Sequence, residues 1–375
     1  MKFDNWTRPK PTEIEISVFG KGYGESIIIH VGGDRWIVVD SLRDDQNLPL
    51  PLLYLNTLCV DVAKDVKLVA ASHWHDDHIR GLSKVVADCH EARFAMPVAM
   101  MQDEFMGFVG KYDDGSEVKM SSGVREMSAI LETLDSRPNP IEWAMSWRLI
   151  HKERGNELPH SYDVTIDCMS PSNADVTEFL RAVKADANVA KKFKQRAPRY
   201  SKNDISVAMW ITIGPAVILL CADLENRPGA TSGWKAVLAA NQRPDAKAGV
   251  MKISHHGSET GHHDEVWSEM CEPNVIASLT PWTKGRGQLP TAGDIRRIMA
   301  LTDNGFTTNS SATIASKERM RMVGGVIKDQ GAKIRKLETN IGHVRHRIDL
   351  ASKSPVWSTE LIGQASALNK LRSTS

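Results

Sequence analysis

The 375-residue sequence predicts an α+β fold in which strand-forming and helix-forming segments alternate, and three observations support this prediction. The first forty residues contain three short apolar or alternating segments separated by glycine-rich breaks, a pattern typical of a β-hairpin unit. A short apolar run at 66–71 leads directly into a histidine-rich segment and then into helical periodicity. Strand-like runs return at 205–213 and 216–221, separated by the turn signal Gly214-Pro215.

The elements follow from apolar periodicity and from the positions of glycine and proline. Predicted strands cover 13–19, 26–31, 35–39, 66–71, 164–169, 205–213, 216–221, 249–254, 274–279, 343–350 and 357–362. Predicted helices cover 48–62, 79–88, 121–134, 174–194, 234–241, 291–301 and 315–337, whereas 141–150 is compatible with either type. We expect a single domain over residues 1–375, with an inserted elaboration of helices and loops at about 100–200.

Composition excludes several classes of protein. The chain has 47 Lys and Arg against 46 Asp and Glu, a net charge of +1, which argues against a strongly basic nucleic-acid protein but leaves room for a local basic groove. No apolar run is long enough for a membrane span, so no membrane partner is expected, and no secretory leader is evident. The cysteines are five, widely spaced and without a C-x-x-C pair, which indicates reduced thiols and predicts a cytoplasmic location.

The segment His73-x-His75-x-Asp77-His78 is the strongest signal in the sequence. Residues two apart in an extended segment point to the same side, so His73 and His75 can bind one cation. Once the chain turns into the helix, Asp77 and His78 face a second position nearby. Imidazole and carboxylate groups bind zinc and other divalent ions. The alternative is a chance histidine cluster in a loop, but four such residues between a strand and a helix favour a site for two divalent cations.

This segment resembles the signature of the metallo-β-lactamase superfamily, and three further segments support the resemblance. Residues 16–26 and 38–41 resemble the first strands of the family and the aspartate, Asp40, that braces its site loop. Residues 219–223 resemble the segment with the bridging aspartate, Asp223, with Ala222 in place of the usual glycine. The resemblance implies a four-layer αβ/βα metallo-β-lactamase sandwich with the metal site at one edge and a helical elaboration.

The third segment, Lys252-Ile253-Ser254-His255-His256-Gly257-Ser258, is similar to the H-H-G-S motif of one branch of the superfamily. That branch includes the nuclease domain of bacterial competence channels and phosphorylcholine esterases. Asn203-Asp204-Ile205-Ser206 and Met169-Ser170-Pro171 also resemble segments of this branch. The chain departs from this branch at one position that concerns substrate recognition. Leu289 precedes Pro290 where the branch often has a histidine that contacts the substrate.

Carried over residue by residue, the resemblance implies six metal ligands: His73, His75, Asp77, His78, Asp223 and His256. One cation would be bound by His73 and His75 together with a histidine of the H-H-G-S motif. The other would be bound by Asp77 and His78, with Asp223 bridging the two. The expected cations are two Zn²⁺, with Mn²⁺ as the alternative.

Two residues are candidates for catalytic roles as well. Asp77 lies in the ligand set, and His255 is expected to face the substrate or to handle protons while its neighbour His256 binds metal. Asp40 is expected to accept a hydrogen bond from the N–H of a ligand histidine. Asp76 is expected to be a loop or supporting residue.

The implied function is a hydrolase that uses a water activated by two cations, with phosphodiester bonds of DNA or RNA as the leading substrates. Hydrolysis of a small ester, phosphoester or thioester is one alternative. A non-hydrolytic redox protein or scaffold is another, because one fold hosts many activities.

Two basic segments leave a choice between binding and ordinary surface roles. The first could bind along the phosphates of a nucleic acid or form a solvated helix face. It comprises Lys184, Lys191, Lys192, Lys194, Arg196, Arg199 and Lys202. The second, His343 to Arg347 on a late strand, is interpreted as a charged, exposed edge strand that avoids pairing with other chains.

Overall fold

The computed structural model describes residues 5–102, 105, 122–155, 162–193, 202–284, 287–310 and 341–374. Its strands are β1 (Glu13–Gly20), β2 (Glu25–His30), β3 (Trp36–Val39), β4 (Val66–Ala70), β5 (Arg93–Pro97), β6 (Ile141–Ala144), β7 (Arg148–Glu153), β8 (Val164–Cys168), β9 (Met209–Ile213), β10 (Ala216–Leu220), β11 (Ala248–Lys252), β12 (Cys271–Leu279), β13 (Gly305–Thr307), β14 (Gly342–Asp349), β15 (Ser358–Gly363) and β16 (Ser366–Ala367).

The α-helices lie in the segments that connect these strands. They are α1 (Leu50–Thr57), α2 (Val62–Asp65), α3 (Asp76–Ile79), α4 (Leu82–Asp88), α5 (Ser122–Asp135), α6 (Asn173–Phe193), α7 (Gly233–Leu238), α8 (Asp264–Met270) and α9 (Ala292–Met299). The predicted helix at 315–337 lies outside the described residues. No helix in the described part of the chain is both long and apolar enough to cross a membrane.

The strands form two eight-stranded sheets. The first has the order β15-β14-β1-β2-β3-β4-β5-β6, and the second has the order β16-β13-β12-β11-β10-β9-β8-β7. Each sheet contains a parallel half, from β3 to β6 in the first and from β10 to β13 in the second. The carboxyl ends of parallel strands lie at one edge of a sheet, so the loops that follow them are brought together there.

The alternation of residues along the strands creates the layers. On β1, Ile14, Ile16 and Val18 contribute to the apolar core between the sheets, together with Ile166 and Ile211 of the second sheet. Phe19 points the other way, into a core shared with helices α1, α4 and α5. A third core lies between the second sheet and helices α7, α8 and α9. This helix–sheet–sheet–helix order confirms the predicted four-layer αβ/βα sandwich.

Two expectations about the strands differ from the structure. Residues 141–153 supply two strands, β6 to the first sheet and β7 to the second, within the region where an elaboration of helices and loops was expected and where 141–150 was compatible with either type, whereas β8 confirms the strand predicted at 164–169. The second concerns β14, which is not an exposed edge because it pairs with β1 on one side and β15 on the other. His343, Arg345 and His346 are therefore buried. The terminal strand β15 occupies the edge instead, and periodicity alone does not predict which of two late strands lies inside.

Candidate metal centre

Four loops that follow parallel strands meet at one edge of the sandwich. Asp40 follows β3, and the segment His73–His78 follows the adjacent β4 in the first sheet. In the second sheet, Asp223 follows β10 and His256 follows the adjacent β11. Side chains separated by up to 216 positions in the sequence thus converge because parallel strands end at the same level.

The converging side chains form two groups that share Asp223. The first group is Asp77, His78, Asp223 and His256, and the second is His73, His75 and Asp223; the candidate ligand atoms within each group lie within 4.8 Å of one another. The Oδ2 atom of Asp223 lies 3.5 Å from His78 Nε2, 3.7 Å from His256 Nε2 and 3.7 Å from His73 Nε2. A carboxylate in this position can contact two cations, as expected for Asp223.

All six predicted ligands are brought together, but their distribution between the two groups differs from the expectation. His256 Nε2 lies 3.3 Å from Asp77 Oδ2, so His256 joins Asp77 and His78 rather than His73 and His75. His256 follows β11 in the second sheet, whereas Asp77 and His78 follow β4 in the first sheet. The sequence contains no information on this grouping, since it depends on how the two sheets pack.

The site has the properties of a cation site. His73, Asp77, His78, Asp223 and His256 are all buried. Among the described residues, Asp77 Oδ2, His78 Nε2 and Asp223 Oδ1 are buried without a hydrogen-bond partner, although buried polar atoms are normally satisfied. Asp77 Oδ2 and His78 Nε2 lie 3.6 Å apart, and three unsatisfied atoms within one cluster, two of them carboxylate oxygens, fit a bound divalent cation of the kind that the resemblance implies.

The electrostatics agree with this assignment. Burial acts to lower the pKa of His78, but Asp223, Asp77 and Asp40 together raise it well above its ordinary value. Burial acts to raise the pKa of Asp223, but His256 and His78 hold it well below its ordinary value. His73 has a pKa well below the ordinary value because of burial and of its neighbours His78 and His75, so it is a neutral imidazole with a lone pair available for a metal.

Asp40 supports the ligand loop as predicted. Its Oδ1 atom accepts a hydrogen bond from the backbone N–H of Ser72 at 2.7 Å, and its Oδ2 atom accepts one from the Ser72 hydroxyl at 2.6 Å. The same Oδ2 lies 2.7 Å from His78 Nδ1. With Nδ1 engaged in this way, Nε2 of His78 is the nitrogen directed into the site. The supporting role of Asp76 is also visible, because its Oδ1 accepts a hydrogen bond from the N–H of Gly123 at 2.7 Å.

A third group, Glu25, Asp40 and His78, also brings possible ligand atoms together. Its charges are already balanced by protein groups, because Lys252 Nζ lies 2.6 Å from Glu25 Oε2 and Asp40 is engaged with Ser72 and His78. We therefore place no cation in this group, and we assign it to the support beneath the site.

His255 lies beside the ligand groups and not within them. Its Nδ1 is 2.8 Å from Glu225 Oε1 and 3.0 Å from the Thr260 hydroxyl, and its Nε2 is 3.3 Å from Asn203 Nδ2. Burial acts to lower the pKa of His255, but the hydrogen bond with Glu225 and the nearby Asp223 raise it above its ordinary value. His256 thus lies in a candidate ligand group and His255 lies beside it as a polar neighbour, and the ligand role of His256 stays a prediction.

The backbone around the site adopts conformations that favour glycine. Asp40, Ala222, His255 and His256 have φ values of 60°, 46°, 42° and 55°. Such left-handed conformations are unfavourable for residues with a Cβ atom, and they concentrate where the surrounding structure fixes a functional geometry. The left-handed backbone at Ala222 is one that glycine adopts without strain.

Sequence reasoning missed three residues that surround the centre. Glu225, two residues after Asp223, holds His255, and its spacing could have indicated this. The ring of Trp282 lies 5.5 Å from the His256 ring, and Trp282 forms an antiparallel bridge with the half-buried Leu289. Tyr23 contacts Trp282 at 5.1 Å between ring centroids, and its position between two glycines was the available signal. Of the predicted basic segment near 184–202, only Lys184 lies among the residues whose side chains are described, and it is exposed.

Comparisons with known proteins find structural similarity without sequence similarity. No protein-family model matches the chain, and no curated protein matches it significantly. A search of solved structures finds 77 matching chains. The metallo-β-lactamase fold protein YhfI from Bacillus subtilis is 12% identical with a TM-score of 0.38, and the match covers 78% of this chain and 94% of that chain.

Two other matches are weaker. A metallo-β-lactamase from Cronobacter sakazakii, a HARLDQ motif mutant, is 16% identical with a TM-score of 0.30 over 57% of this chain and 63% of that chain. Zn²⁺-bound PqqB from Methylobacterium extorquens is 10% identical with a TM-score of 0.30 over 62% and 57% of the two chains. Both matches span less than two thirds of the other protein. The fold assignment therefore rests on the two sheets and their strand order in this chain.

Proposed function

We propose that the protein is a metal-dependent hydrolase that binds two divalent cations and cleaves phosphodiester bonds, with nucleic-acid strands as the substrate. The observation that carries the proposal is the pair of buried ligand groups that share Asp223. His73 and His75 would hold one cation, and Asp77, His78 and His256 would hold the other. Two cations at such a site activate a water for attack and offset the charge of the reacting oxygens.

The residues of the chain prepare this site in two ways. Asp40 fixes the ring of His78 so that Nε2 faces the ligand groups. The second contribution is proton transfer, which we assign to His255. The carboxylate of Glu225 accepts a hydrogen bond from Nδ1 of His255 and favours the protonated ring, which can then donate a proton to the oxygen that leaves.

Two arguments favour a phosphodiester over other bonds. The His255-His256-Gly257-Ser258 segment resembles the H-H-G-S motif of a branch with nuclease and phosphodiesterase members. A phosphodiester also presents two non-bridging oxygens on one phosphorus, and the paired cations that these residues would hold would offset the charge of its reacting oxygens.

The experiment measures hydrolysis and metal content together. Purified protein is loaded with Zn²⁺ or Mn²⁺ and assayed with bis-p-nitrophenyl phosphate, p-nitrophenyl acetate, single-stranded DNA, duplex DNA and RNA. We expect cleavage of the diester and of at least one nucleic acid, with close to two metal ions per chain by elemental analysis. The double variant His75→Ala/Asp77→Ala should lose metal and activity together.

A matched variant, His90→Ala, controls for loss of a histidine, because His90 is exposed and follows α4 away from the ligand groups. Circular dichroism verifies that each variant is folded. Equal diester cleavage by the double variant and the native protein would refute the proposal. Turnover of p-nitrophenyl acetate without cleavage of any diester would also refute the phosphodiester assignment and would favour an esterase.

A further inference from the structure

Three half-buried side chains, Tyr23, Trp282 and Leu289, form a wall beside the metal centre that has no role in the proposed chemistry so far. The ring centroid of Trp282 lies 5.5 Å from that of the proposed ligand His256, with 38° between the ring planes. The centroid of Tyr23 lies 5.1 Å from that of Trp282, and these two rings meet edge to face at 61°. This set of side chains, the site wall, therefore adjoins the candidate ligand groups.

The glycine-rich loop after β1 fixes Tyr23 in the site wall. Gly22 and Gly24 flank Tyr23 with φ values of 83° and 103°, which L side chains rarely adopt. A Cβ atom on Gly24 would lie 3.5 Å from the backbone oxygen of Asp77, so the loop packs against the ligand loop. The backbone oxygen of Gly22 also accepts hydrogen bonds from the N–H of Thr283 at 2.8 Å and from its hydroxyl at 2.5 Å. The loop is thus joined both to the metal centre and to the segment that carries the second ring of the wall.

A backbone bridge places Leu289 next to Trp282. The N–H of Trp282 donates to the backbone oxygen of Leu289 at 2.8 Å, and the N–H of Leu289 donates to the backbone oxygen of Trp282 at 2.9 Å. Residues that exchange both hydrogen bonds in this way carry their side chains on the same face. A Cβ atom on Gly257 would lie 3.5 Å from Pro290 Cβ, so the segment with Leu289 also packs beside the residue that follows His256.

The polar groups of the site wall are engaged within the protein. The Nε1 atom of Trp282 donates a hydrogen bond to the backbone oxygen of Lys284 at 2.7 Å. Lys284 Nζ lies 3.2 Å from the centroid of the Tyr23 ring and covers one face of that ring. Leu289 has no polar side-chain group. The surface that the wall offers to a bound molecule is therefore aromatic and apolar, and the indole of Trp282 is its largest part.

We infer that Trp282 stacks against an aromatic ring that the substrate carries next to the scissile phosphate, with Leu289 and Tyr23 as its neighbours. The inference rests on the proposed function and specifies its substrate as a diester with an aromatic substituent. Every nucleobase has a flat π face, so stacking on the indole accepts any base sequence. The ring could be a base of a nucleic-acid strand or the aryl group of a small diester. An alkyl or abasic diester has no such face.

The first test measures binding and not catalysis. Tetrathymidylate and a tetramer of abasic deoxyribose phosphates, which carries the same charge, are titrated by calorimetry into protein kept in EDTA. We expect the native protein to bind the thymidylate about tenfold more tightly, because the abasic strand cannot stack. Trp282→Leu should abolish this difference, since leucine is apolar but has no π face. Trp282→Phe retains an aromatic ring and should keep most of the difference.

Trp357→Leu is the matched control for loss of a tryptophan. Trp357 is also half-buried, but its Nε1 lies 3.5 Å from the position of a Cβ atom on Gly249, near the start of β11. His256 follows the other end of that strand, so Trp357 is remote from the metal centre. The control should keep the full preference for thymidylate. Circular dichroism verifies that each variant is folded, and the comparison of the two strands on the native protein does not depend on any variant.

The second test compares metal-loaded protein on thymidine 5′-(p-nitrophenyl phosphate) and on its abasic analogue, which release the same leaving group. The native protein should have a kcat/KM about tenfold higher on the thymidine compound, and Trp282→Leu should remove that preference. Phenyl and methyl p-nitrophenyl phosphate form a second pair that separates the two sources of the ring. The same preference for the phenyl compound identifies any aryl group as sufficient, and a preference confined to the thymidine compound identifies a nucleobase.

The outcomes separate this inference from the proposed function. If the native protein prefers thymidylate and Trp282→Leu alone removes the preference, while no diester is cleaved, the proposed function fails and the stacking site stands. If diesters are cleaved but neither pair of substrates nor the two strands are distinguished, the stacking site fails. An equal loss of preference in Trp282→Leu and Trp357→Leu, or absence of binding of either strand to the native protein, also overturns it.

Discussion

At the scale of single residues, the candidate metal centre is supported by a carboxylate that is not a proposed ligand. Asp40 is buried, and burial acts to raise its pKa, whereas His78 and Ser72 act to lower it. Its oxygens accept from both the N–H and the hydroxyl of Ser72 and lie 2.7 Å from His78 Nδ1. One side chain thus fixes both the start of the ligand loop and the orientation of a ligand ring.

Asp40→Asn should weaken zinc binding about 10–100-fold, a typical effect of removing a carboxylate behind a ligand histidine. The asparagine amide keeps the shape of the side chain but no longer offers a full negative charge to the His78 ring. Competition with a fluorescent zinc chelator measures the affinity. Asp245→Asn, on an exposed loop, is the matched control. Unchanged zinc affinity in Asp40→Asn would show that the contact with His78 does not support metal binding.

At the scale of elements, helix α5 secures the helix that follows the ligand loop. Glu126 of α5 is buried, and its carboxylate accepts hydrogen bonds from the backbone N–H groups of Gly81 and Ser83 and from the Ser83 hydroxyl. These N–H groups lie at the start of α4, where a helix has no partners of its own for them. Arg43 Nη2 also donates to Glu126, at 2.6 Å.

Glu126→Ala should lower the free energy of unfolding by about 1–3 kcal/mol, because it leaves buried donors at the start of α4 without an acceptor. Glu132→Ala lies on the exposed face of the same helix and should change stability far less. Urea unfolding followed by circular dichroism gives both values. A similar loss in the two variants would mean that helix propensity, and not the cap on α4, accounts for the effect.

The elements that were predicted from sequence are those with a local signal. Strands β1 to β4 and β8 to β12 were expected because short apolar runs there are bounded by glycine, proline or polar breaks. Residues 141–153 lack such clear patterns, and the pairing of β6 and β7 into the two sheets depends on contacts distant in sequence. At the site, the spacing of His73 to His78 predicted the ligand types, whereas the partners of His256 depended on the packing of the two sheets.

At the scale of the whole molecule, a buried ion pair joins the two sheets beneath the metal centre. Lys252 of β11 and Glu25 of β2 have side-chain exposures of 1% and 0%, and Nζ lies 2.6 Å from Oε2. Thr280 also donates to Glu25, and Lys252 Nζ donates to the backbone oxygen of Ile253 at 3.0 Å. Each charge thus depends on a partner that another part of the chain supplies.

Lys252→Met should cost about 3–5 kcal/mol of stability, because it leaves the Glu25 carboxylate buried without its cation. The double variant Lys252→Met/Glu25→Gln should recover most of that loss, since no unpaired charge remains. Urea unfolding of the native protein and of both single and double variants completes the cycle. If the two single losses simply add in the double variant, the pair is not coupled across the sheets.

A second contact between the sheets makes stability depend on pH. His346 of β14 is buried, its Nε2 lies 2.7 Å from the Ser278 hydroxyl of β12, and its Nδ1 lies 2.9 Å from the Thr359 hydroxyl of β15. Burial lowers the pKa of His346 from 6.5 to about 3. Below pH 6.5 the unfolded chain therefore binds a proton at this histidine. The folded chain does not bind that proton until the pH falls to about 3. Stability from this group is present above pH 6.5 and is lost as the pH falls toward 3.

His346→Gln should make the decline of stability between pH 6.5 and 3 shallower by up to about 1.4 kcal/mol per pH unit, the slope for one proton. Urea unfolding at half-unit steps, with EDTA present so that metal loss does not contribute, measures the slope for each protein. His90→Gln removes an exposed histidine and should leave the slope unchanged. Parallel pH profiles for the native protein and His346→Gln would mean that the pKa of His346 is the same in the folded and unfolded chains, which contradicts its burial between the sheets.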